Sequence, residues 1–403
     1  MRVLFITDNF PPEVNAPATR TFEHCREWVK QEADVTVITC APNFPQGKVY
    51  PGYRNKLWHS EQMEGIRVVR VWTYITSNEG LIKRALDYLS FAILSFLAGL
   101  FIKTDIIIAT SPQFFTTFSG FGLSCIKKKP WIFELRDLWP ESIRAVGAIK
   151  SYRVYKVLER IELFLYRKSA KIVAVTDSFK RSLVKRGIPE DKIVVVTNGS
   201  NLDLFKPVEK NTEILQNLKL FNKFIIGYIG THGMAHGLDF ILNCATKTED
   251  DVHFLFIGDG AEKKSLLRQS KELNLKNVSF IDPIPKECMP EYLSIIDVAL
   301  VPLKKRDTFK TVIPSKIFEA AAMQKPILLG VEGESKSIVD KYKAGLCFDP
   351  ENEKDFLFNL NYMRNNYTEF LSGCSCLTTD FDRKKKAKDM LDIMSDVNKR
   401  YMQ

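Results

Sequence analysis

The residues best placed for chemistry lie in one C-terminal stretch, residues 308–327, with the sequence TFKTVIPSKIFEAAAMQKPI. Ser315 and Lys316 follow Pro314 at the point where the apolar residues take up helical spacing, and Glu319 lies about one turn inside that helix. A helix N-terminus presents free backbone N–H groups that suit a phosphate. A carboxylate one turn further along can accept hydrogen bonds from a sugar diol. Together these groups could hold a nucleotide diphosphate.

Other candidate ligand-binding groups follow predicted strands in both halves of the chain, because open α/β sheets bind ligands at the carboxyl ends of their strands. In the N-terminal half the candidates are Glu13, Asn15, Arg20, Arg136, Asp137 and Asn198. In the C-terminal half they are Gly230, His232, Gly233, His236, Gly258, Ser315, Lys316 and Glu319. The predicted strand, glycine-rich turn and helix over residues 224–245 form a phosphate-binding arrangement. For residues 13–20, a polar loop that caps a helix is the alternative.

Short apolar strands alternate with amphipathic helices along the whole chain and predict two doubly wound parallel-sheet α/β domains. Residues 200–222 have no sustained apolar period and contain Pro207, so we assign the linker to them. We place the N-terminal domain at residues 1–205 and the C-terminal domain at residues 206–385. A basic, amphipathic helix at about 386–403 is expected to fold back on the first domain.

Composition narrows the class of protein. The chain has 403 residues, 58 of them Lys or Arg and 48 Asp or Glu, which gives a net charge of +10. This surplus permits nucleic acid, anionic lipid or a phosphate-bearing substrate as a partner. The eight cysteines are scattered, and the C-x-C pair Cys374 and Cys376 has no second pair that would complete a zinc site. We expect reduced thiols in a cytosolic protein without a signal peptide.

Residues 88–102, YLSFAILSFLAGLFI, form the most apolar segment and carry no charge. Lys83, Arg84 and Asp87 precede the segment and Lys103 follows it. It falls short of the roughly 20 residues that a spanning helix needs. A buried helix, a helix docked on a membrane surface and a membrane span remain open.

Several enzyme classes lack their motifs here. The sequence contains no G-x-G-x-x-G after its first strand, no Walker A motif, no G-x-S-x-G and no H-E-x-x-H. The five histidines have no neighbours with metal-ligand spacing, and the one D-x-D, at Asp380 and Asp382, lies beside the basic tail and is assigned to chance. We therefore expect neither a metal nor a cofactor.

Six ordered landmarks carry a resemblance to a known family. They are the turn after the first predicted strand, Arg136-Asp137-Leu138-Trp139-Pro140, Asn198-Gly199-x-x-x-Asp203-x-Phe205, Gly230 to Gly237, Gly258-Asp259-Gly260, and Pro314-Ser315-Lys316-x-Phe318-Glu319. In this order, and over nearly the whole chain, they resemble the motifs of retaining glycosyltransferases of family four with the GT-B fold. Within that family the chain resembles the members that build O-antigen or capsular polysaccharide, especially the L-fucosamine transferases.

The resemblance implies two Rossmann-like domains facing across a cleft, with the acceptor on the N-terminal side and the nucleotide sugar on the C-terminal side. It implies that Glu319 grips the donor ribose, that the backbone around Ser315 and Lys316 meets the diphosphate, and that residues 230–237 close over the phosphates. Residues 282–285 would face the nucleobase. Arg136, Asp137 and Lys316 are the implied catalytic residues. Glu13, Asn15, Arg20 and Asn198 are the implied acceptor-side residues.

Three positions depart from the family pattern. Thr311 replaces the first glutamate of the family's E-x7-E motif, which normally touches the donor sugar. Thr231 and His236 stand where the family has basic residues, so Lys316, with Lys304 or Arg306, would have to supply the charge. Arg136 stands where many relatives have histidine, and a guanidinium there could stabilise phosphate charge directly.

The expected function is transfer of a sugar with retention from a UDP donor to a polyprenyl-diphosphate-linked glycan precursor. The expected sugar is N-acetyl-L-fucosamine, and the expected place is the inner face of the cytoplasmic membrane, reached through the basic surface and residues 88–102. No nucleic acid partner is expected. The alternatives are a non-hydrolysing UDP-sugar epimerase of the same fold and a non-catalytic basic scaffold on a membrane surface.

Overall fold

The structure is a computed structural model that describes residues 1–44, 46–76, 81–111, 113–145 and 151–403. The chain divides into two units. The N-terminal unit comprises Met1–Asn198 and Arg383–Gln403, and the C-terminal unit comprises Gly199–Asp382. The division falls after Asn198 rather than after residue 205, because Phe205 is already buried in the core of the C-terminal unit.

Both units contain a mainly parallel sheet. The N-terminal unit has β1 (Arg2–Ile6), β2 (Asp34–Cys40), β3 (Trp58–Met63), β4 (Ile66–Val71), β5 (Ile106–Thr110), β6 (Trp131–Leu135), β7 (Lys171–Ala174) and β8 (Ile193–Val195). The C-terminal unit has β9 (Phe224–Ile229), β10 (Val252–Ile257), β11 (Val278–Ile281), β12 (Val298–Pro302), β13 (Ile327–Gly330) and β14 (Gly345–Cys347). Their orders are β3-β4-β2-β1-β5-β6-β7-β8 and β11-β10-β9-β12-β13-β14, and β3 alone among these described strands runs antiparallel to its neighbour.

Helices connect the strands and cover both faces of each sheet. They are α1 (Ala16–Lys30), α2 (Leu81–Leu100), α3 (Thr116–Lys127), α4 (Glu141–Ala145), α5 (Tyr152–Lys168), α6 (Asp177–Lys185), α7 (Thr212–Leu218), α8 (Leu238–Ala245), α9 (Lys263–Glu272), α10 (Met289–Ile295), α11 (Lys316–Ala322), α12 (Glu334–Tyr342), α13 (Glu353–Asn365), α14 (Leu371–Asp380) and α15 (Arg383–Met402). Each sheet separates two apolar cores, so its inner strands are buried on both faces. This accounts for continuous apolar runs such as the fully buried β5 and β6.

The predicted linker is partly helical. Helix α7 lies within it, capped by the Asn211 side chain, which accepts from the Ile214 N–H at 3.0 Å. Leu215 and Leu220 are buried in the core of the C-terminal unit. The segment escaped prediction because seven helical residues, of which only Leu215 is buried, give too short a pattern to show a period.

The last helix, α15, belongs to the N-terminal unit and packs along α1. Ala387, Met390, Met394 and Val397 join the core on that face of the sheet. The buried Trp28 indole N–H donates to the Ala387 carbonyl at 2.7 Å. The C-terminal end of the chain thereby stabilises the first strands and helix of the fold.

Helix α2 contains most of the apolar segment and is amphipathic. Phe91, Ala92, Ser95 and Ala98 are buried, and α2 packs against α3. Leu86, Leu89, Ile93 and Leu97 form a stripe on the opposite face and are 45–49% exposed. Among the described residues, no helix combines the length and the hydropathy that crossing a membrane requires.

Candidate functional site

The order in which the chain adds strands to the C-terminal sheet reverses between β9 and β12. From β9 the chain moves through β10 to β11 on one side, and β12, β13 and β14 lie on the other. At such a switch point the loops after the two central strands diverge and leave a crevice, which is the usual ligand position in an open α/β sheet. The loop after β9 carries residues 230–237, and the chain after β12 leads to Ser315 and α11.

Lys316 connects these two loops. Its ammonium Nζ lies 3.8 Å from the centroid of the Tyr228 ring at the end of β9. A Cβ on Gly230 would come within 2.6 Å of Lys316 Cε and Nζ, so a side chain there would displace the end of the lysine, and the φ of +144° at this position favours glycine. Burial lowers the Lys316 pKa to about 7, and the nearby Glu319 opposes that shift. A partly desolvated ammonium of this kind gains when an anion arrives.

Two further glycines bring the neighbouring loop close to the same turn. A Cβ on Gly258, where φ is +141°, would lie 2.0 Å from the Gly230 carbonyl oxygen. A Cβ on Gly260 would lie 2.4 Å from the His232 carbonyl oxygen. The Lys263 ammonium donates to the Gly258 carbonyl at 2.8 Å and to Asp282 Oδ1 at 2.6 Å. The turn after β9 is therefore held in position by backbone packing.

The two histidines of the turn differ in environment. His232 is fully buried beside Tyr228, Phe256 and Phe280, and within the described part of the chain neither ring nitrogen has a hydrogen-bond partner. Burial lowers the pKa of His232 to about 4, with a further contribution from Lys263. His236 is half-buried, and burial followed by Lys316 lowers its pKa to about 4. Both rings are neutral at pH 7, so the positive charge beside Gly230 comes from Lys316, which is about half protonated at that pH.

The remaining predicted residues of this half lie around α11. Ser315 is the N-cap residue of α11, and its side chain makes no capping hydrogen bond. Glu319 is half-buried in the first turn of that helix, and Gly233 is half-buried in the β9 turn. Thr311 ends the 3-10 helix Asp307–Thr311, and its hydroxyl donates to the Thr308 carbonyl at 3.4 Å. An ammonium, a glycine turn and a carboxylate at one switch point can hold a diphosphate and a diol together.

The N-terminal sheet has its own switch point, between β1 and β5, and a pocket of about 350 Å³ opens there. Residues that follow β1, β2, β4, β5 and β6 line the pocket, together with the first turns of α2. The lining includes Asp8, Asn9, Glu13, Asn15, Cys40, Asn43, Phe44, Thr73, Arg84, Asp87, Tyr88, Phe91, Gln113, Phe114, Phe115, Asp137, Trp139 and Ser142. Glu13, Asn15 and Asp137 were predicted from the sequence. Asp8, which directly follows β1, could have been found by the same rule, but Asp87 and Tyr88 carry no signal in the sequence.

Glu13 and Asn15 shape the walls of this pocket. Glu13 Oε1 accepts from the backbone N–H groups of Asn43 and Phe44 at 2.7 and 2.9 Å, which fixes the loop after β2. Asn15 Oδ1 accepts from the Ala18 N–H at 2.9 Å and caps α1. Burial raises the pKa of Glu13, so its proton affinity is higher than that of a surface glutamate.

Arg136 lies beside the pocket and does not line it. Its backbone N–H donates to Ser111 Oγ at 3.0 Å, and its guanidinium Nη1 donates to the Pro17 carbonyl at 3.4 Å. Burial lowers its pKa to about 10, which leaves the guanidinium charged at neutral pH. Burial likewise raises the pKa of Asp137, which lies on the pocket wall next to Ser142.

Arg20 differs from the expectation of a ligand-facing side chain, whereas Asn198 is half-buried and its Oδ1 accepts from Arg20. Arg20 is 2% exposed, and it donates to Glu134 Oε1, to the carbonyls of Val196 and Thr197, and to Asn198 Oδ1. These contacts use all three guanidinium nitrogens. The sequence places Arg20 near a strand end but cannot show that α1 turns it inward, toward the end of β8.

No group of three or more His, Cys, Asp or Glu side chains among the described residues is arranged to hold a metal ion. The eight cysteines are all free thiols.

Comparison with known proteins gives matches over most of the chain. Residues 15–199 match the family model "Glycosyl transferase 4-like domain", and residues 210–369 match "Glycosyl transferases group 1". A protein of Escherichia coli (strain K12) named for glycosyl transfer in colanic acid biosynthesis, WcaI, is 25% identical over 365 residues, which are 87% of this chain and 89% of that protein.

Solved structures share the fold. Sucrose-phosphate synthase from Thermosynechococcus elongatus superposes with a TM-score of 0.78 at 14% identity, covering 98% of this chain and 99% of that one. The Anabaena protein HepE, in complex with UDP and glucose, superposes with a TM-score of 0.70 at 15% identity, covering 98% and 100%. The fold is therefore GT-B, with two parallel-sheet α/β domains.

Proposed function

The chain is a GT-B glycosyltransferase of the family-four kind, and from this premise we propose that it transfers a sugar from UDP to a lipid-linked glycan precursor in bacterial surface polysaccharide synthesis. The observation that carries the proposal is Lys316, whose ammonium lies against Gly230 and Tyr228 at the switch point of the C-terminal sheet. A nucleoside diphosphate is the anion that such a site fits, since Glu319 lies one turn further along α11.

In the proposed donor complex, Lys316 and the backbone at Ser315 bind the diphosphate, and Glu319 accepts hydrogen bonds from the ribose hydroxyls. The turn at residues 230–237 packs against the phosphates, and Asp282, which is exposed and paired with Lys263, marks the edge nearest the nucleobase. The structure of HepE with UDP supports a UDP donor for a protein of this fold.

The proposed chemistry is leaving-group stabilisation. As the bond from the sugar to the diphosphate breaks, negative charge develops on the departing phosphate oxygen, and the preorganised Lys316 ammonium stabilises it. Arg136 and Asp137, both in the N-terminal unit, are the other proposed catalytic residues. The acceptor hydroxyl enters on the face that the leaving group vacates and passes its proton to the departing phosphate oxygen, so UDP leaves and the anomeric configuration is retained. Neither a metal nor a cofactor is part of this scheme.

The proposed sugar is N-acetyl-L-fucosamine and the proposed product is an O-antigen or capsule precursor. The name of WcaI supports polysaccharide synthesis as the setting. The proposed identity of the sugar rests on the resemblance of the six ordered landmarks to those of L-fucosamine transferases. Thr311, at the position of the family's first glutamate, leaves recognition of the sugar to other side chains.

A transfer assay with UDP- and GDP-sugars and lipid-linked acceptors tests the proposal. Glu319→Ala and Arg136→Ala are each expected to lower kcat/KM by at least about 100-fold, because each removes a polar partner of the substrate in a preorganised site. Unchanged turnover in both variants would contradict the site assignment. Incubation of the donor without acceptor separates transfer from epimerisation, since an epimerase would release an isomerised nucleotide sugar. Calorimetry that finds no saturable UDP binding would favour the scaffold alternative.

The affinity for UDP is expected to fall as the pH rises above 7. Lys316 has a pKa of about 7 in the donor-free protein, and only its protonated form attracts the diphosphate. Each pH unit between 7 and 9 should therefore weaken UDP binding by up to about tenfold. Calorimetric titrations at several pH values measure this slope. Lys316→Met is the reference, and it should bind UDP weakly with no slope over the same range.

The proposed location is the inner face of the cytoplasmic membrane, with α2 as the contact. The stripe of Leu86, Leu89, Ile93 and Leu97 is continuous with an apolar groove of about 380 Å³ between α2 and α3. Lys83, Arg84 and Lys103 flank the stripe and are exposed. An apolar stripe with basic ends fits the surface of an anionic bilayer.

Vesicle sedimentation tests this location. Leu89→Ser combined with Ile93→Ser is expected to weaken binding to anionic vesicles at least about tenfold, since two half-exposed aliphatic side chains no longer enter the bilayer. Phe221→Ser is the matched control, because Phe221 is 55% exposed in the C-terminal unit. A specific role for α2 would be contradicted if both variants lost the same amount of vesicle binding, or if the double variant lost none.

A further inference from the structure

The pocket of the N-terminal unit disfavours negative charge. Four carboxyl groups line it: Asp8, Glu13, Asp87 and Asp137. The pKa of each is raised, and burial is the largest cause in every case. For Asp87 the pKa rises to about 7, with Asp8 as the next contribution. Four carboxyl groups that resist ionisation in one cavity show that a further anion would be unfavourable there.

The pocket also has the surfaces that a saccharide contacts. Trp139 stacks on Phe114 with ring centroids 4.1 Å apart and an interplanar angle of 6°, so each ring covers one face of the other and the pair forms a fixed apolar wall. Phe44, Tyr88 and Phe115 add further aromatic lining. Aromatic faces pack against the C–H groups of a sugar ring, and carboxylates accept hydrogen bonds from its hydroxyls.

One buried hydroxyl on the wall is left without a partner. Thr73 is 1% exposed and lines the pocket, and no described residue forms a hydrogen bond with its Oγ1. An unsatisfied buried hydroxyl costs about 1–3 kcal/mol. Thr73 therefore adds an unpaired polar group to the wall of the pocket, independently of the four carboxyl groups.

We propose that this pocket binds the terminal sugar of the acceptor and selects a sugar without negative charge, neutral or amino, against uronic acids. The proposal rests on the proposed function for the identity of the ligand as an acceptor. Arg84 is exposed, and it is the one cation among the described lining residues, so a uronate would meet four acidic groups inside and one cation at the margin. The same argument excludes the acceptor's diphosphate from the pocket.

Asp87 is the residue that sets the selectivity most directly. It lies on α2, close enough to Asp8 for each charge to disfavour the other, and it is half-buried rather than part of the apolar core. Its replacement by asparagine keeps shape and hydrogen-bonding capacity but removes the charge. If Asp87 had only a structural role, this change would leave the preference for uncharged glycosides as it is. If its charge selects the ligand, the preference should fall.

Saturation-transfer NMR with soluble methyl glycosides tests the proposal directly on the full chain. Methyl glucoside, methyl N-acetylglucosaminide, methyl glucosaminide and methyl glucuronide form the probe set. The native protein is expected to bind one or more neutral or amino glycosides at least about tenfold more tightly than it binds the glucuronide. The ratio of these two affinities measures the charge selectivity. Asp87→Asn should narrow that ratio by about tenfold, and Asp34→Asn, an exposed carboxylate at the start of β2, should leave it unchanged.

The outcomes separate this inference from the proposed function. Equal or tighter binding of the glucuronide overturns charge selection, and so does the absence of binding by every probe. An unchanged ratio in Asp87→Asn overturns the role of Asp87. These binding measurements involve no donor and no transfer, so they remain valid if the transfer assay detects no activity. If no selectivity among the glycosides is found, the proposal that UDP binds at Lys316 is unaffected.

Discussion

Replacing Lys316 with methionine is expected to lower kcat/KM for transfer by about 100- to 1,000-fold while raising the stability of the C-terminal unit. The loss follows from the position of the ammonium against the Gly230 turn, where it meets the charge that develops on the leaving diphosphate. Methionine has a similar length and fills the space beside Tyr228 without a charge. The variant therefore removes the interaction and keeps the packing.

The gain in stability has a defined pH dependence. The pKa of Lys316 is about 7 in the folded protein against an ordinary value of 10.5, so folding opposes its protonation. The resulting cost to the native protein is complete below about pH 7 and shrinks as the pH rises toward 10.5. Lys316→Met should accordingly be more stable by on the order of 4–5 kcal/mol at pH 6.5 and by only about 2 kcal/mol at pH 9.

Thermal unfolding followed by circular dichroism at both pH values measures this change. The five tryptophans of the chain, at positions 28, 58, 72, 131 and 139, all lie in the N-terminal unit. Their fluorescence reports unfolding of the N-terminal unit and provides an internal control. The unfolding temperature that it gives should be the same in Lys316→Met as in the native protein. A variant that loses activity and stability together would contradict the assignment, since the lysine would then be needed for folding rather than for binding.

The C-terminal half of the site was predictable from the sequence because its residues are close along the chain. Ser315, Lys316 and Glu319 belong to one turn of α11, and the glycines of residues 230–237 follow one strand directly. A local pattern fixes their geometry, so residue types and spacing were sufficient. What the sequence could not show is that Tyr228 supports Lys316, since that contact joins β9 to α11 across the sheet.

The N-terminal pocket was predictable only in part. Glu13 and Asp137 follow strands and were found by that rule, but Asp87 and Tyr88 enter the pocket from α2. Their position depends on how α2 packs against α3, and no local spacing encodes that packing. The same limit explains why the apolar segment left three possibilities open. Only the tertiary structure shows that one face of α2 is buried and the other exposed.

The sequence placed Arg20 among the ligand-facing residues, but in the structure its side chain is buried. Its replacement provides the second large prediction. Arg20→Met is expected to destabilise the N-terminal unit by about 3–5 kcal/mol, because it leaves the Glu134 carboxylate buried without its cation. Glu134 is 1% exposed, and its Oε1 lies 3.2 Å from Arg20 Nε. The carbonyls of Val196 and Thr197, at the end of the edge strand β8, would lose their donors as well.

A double variant separates this buried pair from a general loss of packing. Adding Glu134→Gln to Arg20→Met removes the unpaired charge and should recover a large part of the lost stability, as expected for partners in one ion pair. Arg2→Met is the surface control, because Arg2 pairs with Asp105 at 2.6 Å but is 43% exposed, and its loss should have only a slight effect.

Urea unfolding followed by tryptophan fluorescence reports the stability of the N-terminal unit in the native protein and in the three variants. Suppose instead that Arg20 bound the acceptor directly. Arg20→Met would then keep its unfolding midpoint and lose affinity for methyl glycosides, and Glu134→Gln would restore nothing. The structural assignment requires the reverse: a lower midpoint in the single variant, partial recovery in the double variant, and saccharide binding that survives wherever the N-terminal unit remains folded.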